Sequence, residues 1–527
     1  MSEPGNVLKA NDRRFTVALM AFCGVLLAPT LAYRMGLDQG VFAYLGAEIL
    51  DGRWPYIDTW EHQFPGLMLL NAIEILALGK SGAAFRLFDW AYQLLNVYLI
   101  YSITRKLTDR TGGYVAAIVY CLIYQGYGPW NTAQREGFAM LFVLWGFWLF
   151  LTAGRRRPMI TAIGIGLGLG IAVLFKPTML ALSTLYAPLL LRPDRKSIQL
   201  AGAGLTALLT PVAALLIILW ANGALVNFYE ANVAFQAQTY VPISRGELPL
   251  VAFWISKLTS LGAQTFAVGV GYLPFLFWGR SLRERRMLYL GYVGSVYAVF
   301  TQGTFAGYHY LPGLALGAAL IGTMFSLGSW LVLRNTRFAV GGLSITRRMA
   351  LAHLLVLVAI PLYVRADSVQ KLVTLQFLER PAPDEFRNGT VFDFTESWDV
   401  AEYLRAHTEP GDPIQVWGHE SLVYYLADRD SASRFHTSNP LVARPTGWAP
   451  TPMQLRWREE FMREIRESRP RYIAVVREDN WWWSPGQQTS EQLLDDFPSW
   501  KQFILDRYSL EKEIGRYLVY RDTREGG

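Results

Sequence analysis

Charged residues are scarce in this sequence. They make up 17% of its 527 residues, against roughly 25% in an ordinary soluble domain, whereas hydrophobic residues make up 52%. This composition excludes a soluble globular protein. Apolar stretches close to the membrane-spanning length of about 20 residues recur along the first two thirds of the chain. They predict about eleven transmembrane helices, near residues 15–33, 84–104, 112–126, 137–153, 159–175, 177–191, 198–221, 262–279, 287–301, 309–333 and 349–364.

Three further features are missing. The chain has only two cysteines, Cys23 and Cys121, both inside apolar stretches, which excludes a disulfide framework and a cysteine metal site. The first apolar stretch has no small-residue cleavage site behind it, so we expect it to remain as a membrane anchor. No glycine-rich phosphate loop opens a helix of the C-terminal segment, so we expect no nucleotide.

The net charge of +7 would suit a nucleic-acid partner, but its distribution indicates membrane lipids instead. Lysine and arginine cluster in alternate loops, at residues 12–14, 105–106, 155–157, 192–196, 280–286 and 334–348. Membrane potential and anionic lipid impose this positive-inside pattern. It places the N-terminus in the cytoplasm, and an odd number of spans then places everything after Arg365 outside.

The predicted membrane domain covers residues 1–365, and a soluble extracytoplasmic α/β domain follows over 366–527. The membrane domain carries a long outer loop, 34–83, whose apolar spacing predicts two short amphipathic helices in the interface plane. A second outer region near 222–261 is aromatic and polar. The α/β prediction rests on strand-like runs that alternate with helical patterns. The strands are expected at 413–418, 471–476 and 516–521, and the helices at 398–408, 455–468 and 493–508.

Two acids lie beside predicted membrane boundaries. Asp38 follows the first span in "MGLDQGVF", and Glu136 opens the fourth span in "WNTAQREGFAMLF". A carboxylate beside an apolar helix is costly unless it faces a polar cavity or a partner. We therefore expect both acids to line one outward-facing cavity. The competing explanation for Asp38 is an ordinary solvated loop carboxylate.

The segment "GLDQGVFAYLGAEILDGRWPYIDTWEHQFPG" resembles the first outer loop of the GT-C superfamily of integral membrane glycosyltransferases. It is most similar to the family-39-like branch of protein O-mannosyltransferases and the lipid A aminoarabinose transferase, although Phe64 replaces the usual first proline of the motif "PYIDTWEHQFPG". "AQREGF" resembles the second acidic motif of that branch, and "FKPT" and "GYHYLPGLALGAAL" resemble later outer-face motifs. The resemblance covers the topology of residues 10–365, and the tail resembles the variable outer domain of many members.

The resemblance implies that a sugar moves from a polyprenyl-phosphate carrier to a glycan, lipid or protein acceptor on the outer side of a bacterial inner membrane. Asp38 would be the general base that takes the acceptor hydroxyl proton. A single displacement would invert the anomeric centre. Glu136 would orient the acceptor or Asp38, or help to hold a cation.

The leaving phosphate needs positive charge. The candidates for binding it are Lys176, Arg135, His309, Tyr310 and Arg245. The alternatives are that Lys176 extends to lipid headgroups and that His309 is an ordinary interfacial histidine.

Asp58, Glu61 and His62 form a compact cluster between Pro55 and Pro65. A helix would place Asp58 and His62 on one face, as metal ligands often are. A divalent ion is one interpretation, and a hydrogen-bonded polar turn is the other. The aromatic run "NWWWSP" at 480–485 fits a sugar-stacking platform, a membrane anchor or ordinary packing equally well.

Two other classes of function stay open. A polyprenyl-linked lipid transporter or flippase would also have many spans with acids, but it should show interrupted helices and often two repeated halves. The sequence shows neither feature. A non-catalytic envelope polysaccharide assembly factor could share the fold and lack an essential acid.

Overall fold

The computed structural model describes residues 4–154, 156–189, 194–246, 249, 251–252, 254–255, 263–277, 281–302, 305–334, 338–340, 343–345 and 394–523. The chain divides into two compact units. The first comprises Met1–Tyr33, Arg86–Leu215 and Ile255–Arg387. The second comprises Arg34–Phe85, Leu216–Trp254 and Asn388–Gly527.

Helices dominate the described residues, and we number them in chain order. They are α1 (Pro4–Leu27), α2 (Leu37–Leu50), α3 (Gly66–Leu78), α4 (Gly82–Leu107), α5 (Arg110–Gly126), α6 (Gly128–Asn131), α7 (Arg135–Ala153), α8 (Pro158–Phe175), α9 (Arg195–Ala221), α10 (Leu225–Tyr229), α11 (Val241–Arg245), α12 (Ala263–Tyr272), α13 (Leu282–Gln302), α14 (Leu311–Arg334), α15 (Thr395–His407), α16 (Ser421–Ala427), α17 (Asn439–Val442), α18 (Pro452–Ser468) and α19 (Pro498–Arg507).

Short 3₁₀ and π segments and six strands complete the described elements. The 3₁₀ helices are Ala28–Ala32, Pro177–Leu189, Leu273–Leu276, Gly307–Tyr310, Pro485–Gln487 and Gln492–Leu494, and the π segments are Glu230–Ala234 and Gln236–Tyr240. The strands are β1 (Phe338–Val340), β2 (Leu343–Ile345), β3 (Ile414–Trp417), β4 (Tyr472–Val476), β5 (Tyr508–Ile514) and β6 (Tyr517–Asp522).

Apolar helices make up most of the first unit, and small residues let them approach closely. Gly112 on α5 and Gly322 on α14 face each other, so a Cβ atom on either would collide with the carbonyl of the other. Five helical stretches in the described residues are long and apolar enough to cross a membrane: Asp12–Ala32, Arg135–Ala153, Pro158–Phe175, Arg195–Ala221 and Gly307–Trp330. The pair α3 and α4 qualifies when taken together. The protein is a multi-pass helical membrane protein.

Most predicted spans coincide with observed helices, and within the described part of the chain five or six stretches qualify by length and apolar composition, against the predicted total of about eleven. The stretch at 177–191 forms the 3₁₀ helix Pro177–Leu189. That at 112–126 forms α5, which has 17 residues and is short for a span. The span predicted at 349–364 lies outside the described residues.

The second unit contains a four-stranded sheet in the order β3-β4-β6-β5. Strands β3 and β4 are parallel, whereas β6 is antiparallel to both β4 and β5. The three predicted strands and three predicted helices of this α/β region are confirmed within a few residues. Strand β5 was missed, since this edge strand exposes most of its side chains and lacks an apolar alternation.

Local sequence explains how the elements of the second unit begin. Helix α18 starts with a capping box, in which the Thr451 hydroxyl accepts from the Gln454 N–H at 3.2 Å and the Gln454 side chain accepts from the Thr451 N–H at 3.0 Å. Trp417, Trp457 and Trp500 fill the hydrophobic core of the unit. Helix α2 packs on α16, where Gly40 lies directly against Leu422.

Helices α2 and α3 lie where the two helices of the outer loop were predicted, and their amphipathic placement in the interface plane stays a prediction. They belong to the same compact unit as the C-terminal segment, a grouping that the sequence did not indicate. The assignment of residues 1–365 to a membrane domain and 366–527 to an outer domain stays a prediction.

Candidate active site

The first unit holds a buried cluster around Glu136. This acid occupies the first turn of α7, where the positive end of the helix dipole favours a carboxylate. Its side chain is 1% exposed. Lys176 directly follows the last residue of α8, and its ammonium donates a hydrogen bond to Glu136 Oε1. The Lys176 ammonium therefore binds a carboxylate. In the alternative interpretation it would extend to lipid headgroups.

His309 and its neighbours complete this cluster. His309 lies on the 3₁₀ helix Gly307–Tyr310, and its Nε2 atom is 3.9 Å from Glu136 Oε1. The Lys176 ammonium lies 5.9 Å from the centroid of the Tyr308 ring. Arg135 is buried beside Glu136 in the sequence, and Tyr310 is half-buried at the end of the same 3₁₀ helix as His309.

Glu136 and His309 each have a buried polar atom without a partner among the described residues. Glu136 Oε2 and His309 Nδ1 have no hydrogen bond to any other residue that the structure describes. Such an atom costs about 1–3 kcal/mol unless something bonds to it. An arrangement of this kind is expected where a polar ligand binds. The structure thus brings Glu136, Lys176 and His309 together, and their roles as acid and phosphate-binding groups stay predictions.

The second unit holds a different cluster around Asp38. Asp38 lies in the first turn of α2, and its side chain is 23% exposed. The His419 Nε2 atom is 3.7 Å from Asp38 Oδ1. His419 follows the end of β3, where the chain turns toward α16. Asp38 is therefore not a solitary loop carboxylate. Its convergence with Glu136 in one cavity stays a prediction.

Glu61 and His62 extend this cluster. Glu61 is buried, and its Oε1 atom lies 3.0 Å from His62 Nδ1. Burial alone would raise the pKa of Glu61, but the charge and hydrogen bond of His62, with a further contribution from His419, outweigh it and hold this pKa below its usual value. The His62 ring stacks on Trp60 at 5.5 Å and on Tyr240 at 5.1 Å between ring centroids.

His436 is a buried neutral histidine of the same cluster as Glu61 and His62. Its Nε2–H donates to the carbonyl of Trp60 at 2.8 Å, because a carbonyl can only accept. Its Nδ1 then accepts from the Ser421 hydroxyl at 2.6 Å. Burial lowers the pKa of His436 to about 4, although Glu61 acts in the opposite direction.

The three tryptophans of "NWWWSP" contact His419 and Tyr240. Trp481 and Trp483 stack at 6.1 Å and contact the His419 ring edge-on at 5.3 and 6.2 Å. Trp482 is 46% exposed and contacts Tyr240 at 5.1 Å. Trp483 is buried, so packing accounts for that ring. The sugar-stacking interpretation is confined to the more exposed rings and stays a prediction.

Asp58 lies in a turn and not on a helix. It is exposed, and its Oδ2 atom accepts from the Trp54 N–H at 2.7 Å. This bond closes the turn, whereas Glu61 is buried with His62. Arg245 is exposed at the end of α11, in the second unit. Its role in phosphate binding, and a metal ion at Asp58, Glu61 and His62, stay predictions.

A different acidic group has the spacing of metal ligands. Glu48, Asp51 and Asp430 each offer a carboxylate oxygen within 4.8 Å of the others, in the part of the chain that the structure describes. The Arg53 guanidinium already binds Glu48 at 2.6 Å and also binds Asp430. Because this guanidinium supplies the positive charge, the group does not fit a divalent ion well.

Sequence reasoning missed His419, His436 and Tyr240. A signal existed for His419, because polar residues directly after the carboxyl end of a parallel strand often form sites in α/β folds. The chain has six histidines, and three of them, His62, His419 and His436, belong to this one cluster. None of them is near another in the sequence.

Comparisons with known proteins agree with this architecture. Residues 65–220 match the family model of dolichyl-phosphate-mannose-protein mannosyltransferases, which is under half of the chain. No curated protein matches the chain in sequence. The structure of ArnT from Cupriavidus metallidurans bound to undecaprenyl phosphate is similar over 98% of both chains, with a TM-score of 0.55 and 13% identity.

The oligosaccharyltransferase of Archaeoglobus fulgidus in its apo form is also similar. The likeness covers 88% of this chain and 69% of that chain, with a TM-score of 0.51 and 13% identity. The same enzyme tethered to an acceptor peptide gives a TM-score of 0.50 and 14% identity over 88% and 69%. At these identities the likeness establishes the fold. The chain has the GT-C fold of integral membrane glycosyltransferases, as the sequence resemblance predicted.

Proposed function

We propose that the protein is a glycosyltransferase that moves a sugar from a polyprenyl-phosphate donor to an acceptor hydroxyl on the outer side of the membrane. The observation that carries this proposal is the placement of Asp38, which is partly exposed at the start of α2 and lies 3.7 Å from an imidazole. The fold shared with ArnT, whose structure holds undecaprenyl phosphate, supports a donor of the same class.

Asp38 acts as the general base. A hydroxyl is a poor nucleophile at neutral pH, and a positioned carboxylate contributes about 10²–10⁴-fold by taking its proton. The acceptor oxygen attacks the anomeric carbon as the bond from that carbon to the phosphate oxygen breaks. The electron pair of that bond leaves with the lipid phosphate, and the proton remains on Asp38. A single displacement of this kind inverts the anomeric centre.

The Glu136 cluster binds the phosphate. Lys176, Arg135 and His309 supply cationic or hydrogen-bonding groups in this cluster, and Tyr310 supplies an adjacent hydroxyl. Fixed donors aimed at a developing anion are effective because they need no reorganisation during the reaction. Glu136 holds the Lys176 ammonium in place. A divalent ion is the alternative source of charge, and loss of activity with a chelator, restored by one ion, would establish it.

The membrane setting follows from the basic loops. We place the protein in a bacterial inner membrane, with the N-terminus in the cytoplasm and residues 366–527 in the periplasm. The acceptor is a cell-envelope glycan, lipid or protein. Arg245 remains a further candidate for phosphate binding.

The experiment uses the purified protein in lipid nanodiscs with a radiolabelled polyprenyl-phosphate sugar and a panel of acceptors. We expect donor consumption, and Asp38→Asn should lower the rate by about 10²–10⁴-fold. Asp399→Asn, an exposed carboxylate on α15, is the matched control and should retain the wild-type rate. In proteoliposomes, a transporter would move the donor unchanged, and an assembly factor would neither move nor consume it. Full activity of Asp38→Asn would exclude the base role.

A further inference from the structure

His419 is held in a pocket made by the second unit. Its ring edge contacts Trp481 and Trp483, and its side chain is 14% exposed. Among the described residues its Nδ1 atom has no hydrogen-bond partner, so the contact of Nε2 with Asp38 is its main polar interaction. The imidazole is thus fixed by packing and aimed at one carboxylate oxygen.

Several charged groups act on this imidazole. Asp38 lies at the start of α2, Glu61 in the turn before α3, and Glu420 next to His419 in the chain. Arg516 binds Glu420 at 2.6 Å and compensates its charge. His436 lies behind Glu61 and is neutral near pH 7, because burial lowers its pKa to about 4. The charge of Glu420 is thus balanced by Arg516, whereas the charge of Asp38 faces His419 directly.

We propose that His419 is the positioning residue for Asp38. The imidazole faces Oδ1 at 3.7 Å and holds the carboxylate in one orientation, so that the second oxygen receives the proton of the acceptor. This inference rests on the proposed function, in which Asp38 is the base.

The charge state of the pair gives a signature. Burial by itself lowers the pKa of His419, but the nearby carboxylate of Asp38, with those of Glu61 and Glu420, raises it above its usual value. The imidazolium form is lost as the pH rises through the folded pKa, which lies above the ordinary value. We expect the transfer rate to fall on this alkaline side.

The experiment measures kcat, acceptor KM and donor binding against pH for the wild type, His419→Ala and His419→Gln. We expect kcat of His419→Ala to fall by about 10–10²-fold, within the contribution of a positioned base, with donor binding unchanged. The alkaline fall should be absent in both variants. Glutamine keeps an N–H donor near the position of Nε2 and should restore part of kcat. His407→Ala, a surface histidine of the same unit, is the control.

Asp38→Asn and the double variant Asp38→Asn/His419→Gln are measured in the same assay. If His419 acts through Asp38, the double variant should be no slower than Asp38→Asn. Additive losses, or a His419→Gln protein with the wild-type rate and pH profile, overturn the positioning role and leave the base role of Asp38 intact. Full activity of Asp38→Asn overturns both proposals. A His419→Ala protein that fails to fold leaves the decision to His419→Gln.

Discussion

Glu136 and Asp38 begin helices in the same way but have opposite surroundings. Each lies in the first turn of its helix, α7 or α2, where the helix dipole favours a carboxylate. The Glu136 side chain is 1% exposed and binds a lysine, whereas that of Asp38 is 23% exposed and faces a histidine. A lysine ammonium keeps its charge over the whole neutral range, but an imidazole does not. The first pair suits the holding of a charge, and the second suits the exchange of a proton.

The largest expected effect tests whether the Glu136 pair is structural as well as functional. Lys176→Met leaves the Glu136 carboxylate buried without its cation, which should destabilise the protein by about 3–5 kcal/mol. The thermal unfolding midpoint in detergent should fall, and the double variant Lys176→Met/Glu136→Gln should recover most of the loss, since no buried charge then remains. Both proteins should transfer sugar about 10²-fold more slowly, because a fixed donor is missing.

The control for this comparison is an exposed ion pair of the same chemistry. Lys501 binds Asp495 with both side chains largely in solvent. Lys501→Met should cost at most about 1 kcal/mol. Equal shifts of the unfolding midpoint for Lys176→Met and Lys501→Met would show that burial of Glu136 has no energetic consequence.

The second prediction concerns His436, the buried neutral histidine of the Asp38 cluster. The pKa of His436 is about 4 in the folded protein and near 6.5 when unfolded. The unfolded chain therefore binds a proton first as the pH falls. The contribution of neutral His436 to the free energy of unfolding is fully present above pH 6.5. It is lost as the pH falls to 4, and the loss is at most about 3 kcal/mol. His436→Gln keeps an N–H for the Trp60 carbonyl and should flatten this decrease.

The measurement is the unfolding midpoint of wild type and His436→Gln at intervals between pH 7.5 and 4. His407→Gln serves as the surface control and should follow the wild type. Parallel curves for all three proteins would contradict a neutral buried His436.

The smallest effect separates the two interpretations of the Asp58 cluster. The amide oxygen of an asparagine can still accept from the Trp54 N–H, so Asp58→Asn should change the transfer rate by less than about twofold. Activity should also stay independent of added divalent ions. A large loss that excess metal reverses would instead identify Asp58 as a ligand.

Local pattern predicted much of both units. Apolar length located most of the helices, and short strand-like runs between helical patterns located β3, β4 and β6. The acids were found because a carboxylate beside an apolar helix is unusual. Strand β5 was missed because its exposed sequence "SLEKEI" carries no apolar period.

The residues that contact Glu136 and Asp38 also differ in how far local sequence pointed to them. Lys176 and His309 were singled out as phosphate-binding candidates since each occurs in a short motif at an expected membrane boundary, but their contact with Glu136 was not predicted. His419 is far from Asp38 in the sequence, and nothing local in "VWGHES" indicates that it contacts α2. That pairing depends on the packing of α2 on α16, a long-range contact that the period of neither helix reveals.

The construction of the second unit from three separated stretches has a consequence for biosynthesis. Asp38 leaves the ribosome early, whereas His419 emerges about 380 residues later. At about 5–20 residues per second, tens of seconds pass between them. During that interval α2 has no α16 to cover it, and Asp38 has no imidazole beside it. A nascent chain whose first helices are already in the bilayer therefore lacks the Asp38–His419 pair until α16 has been made.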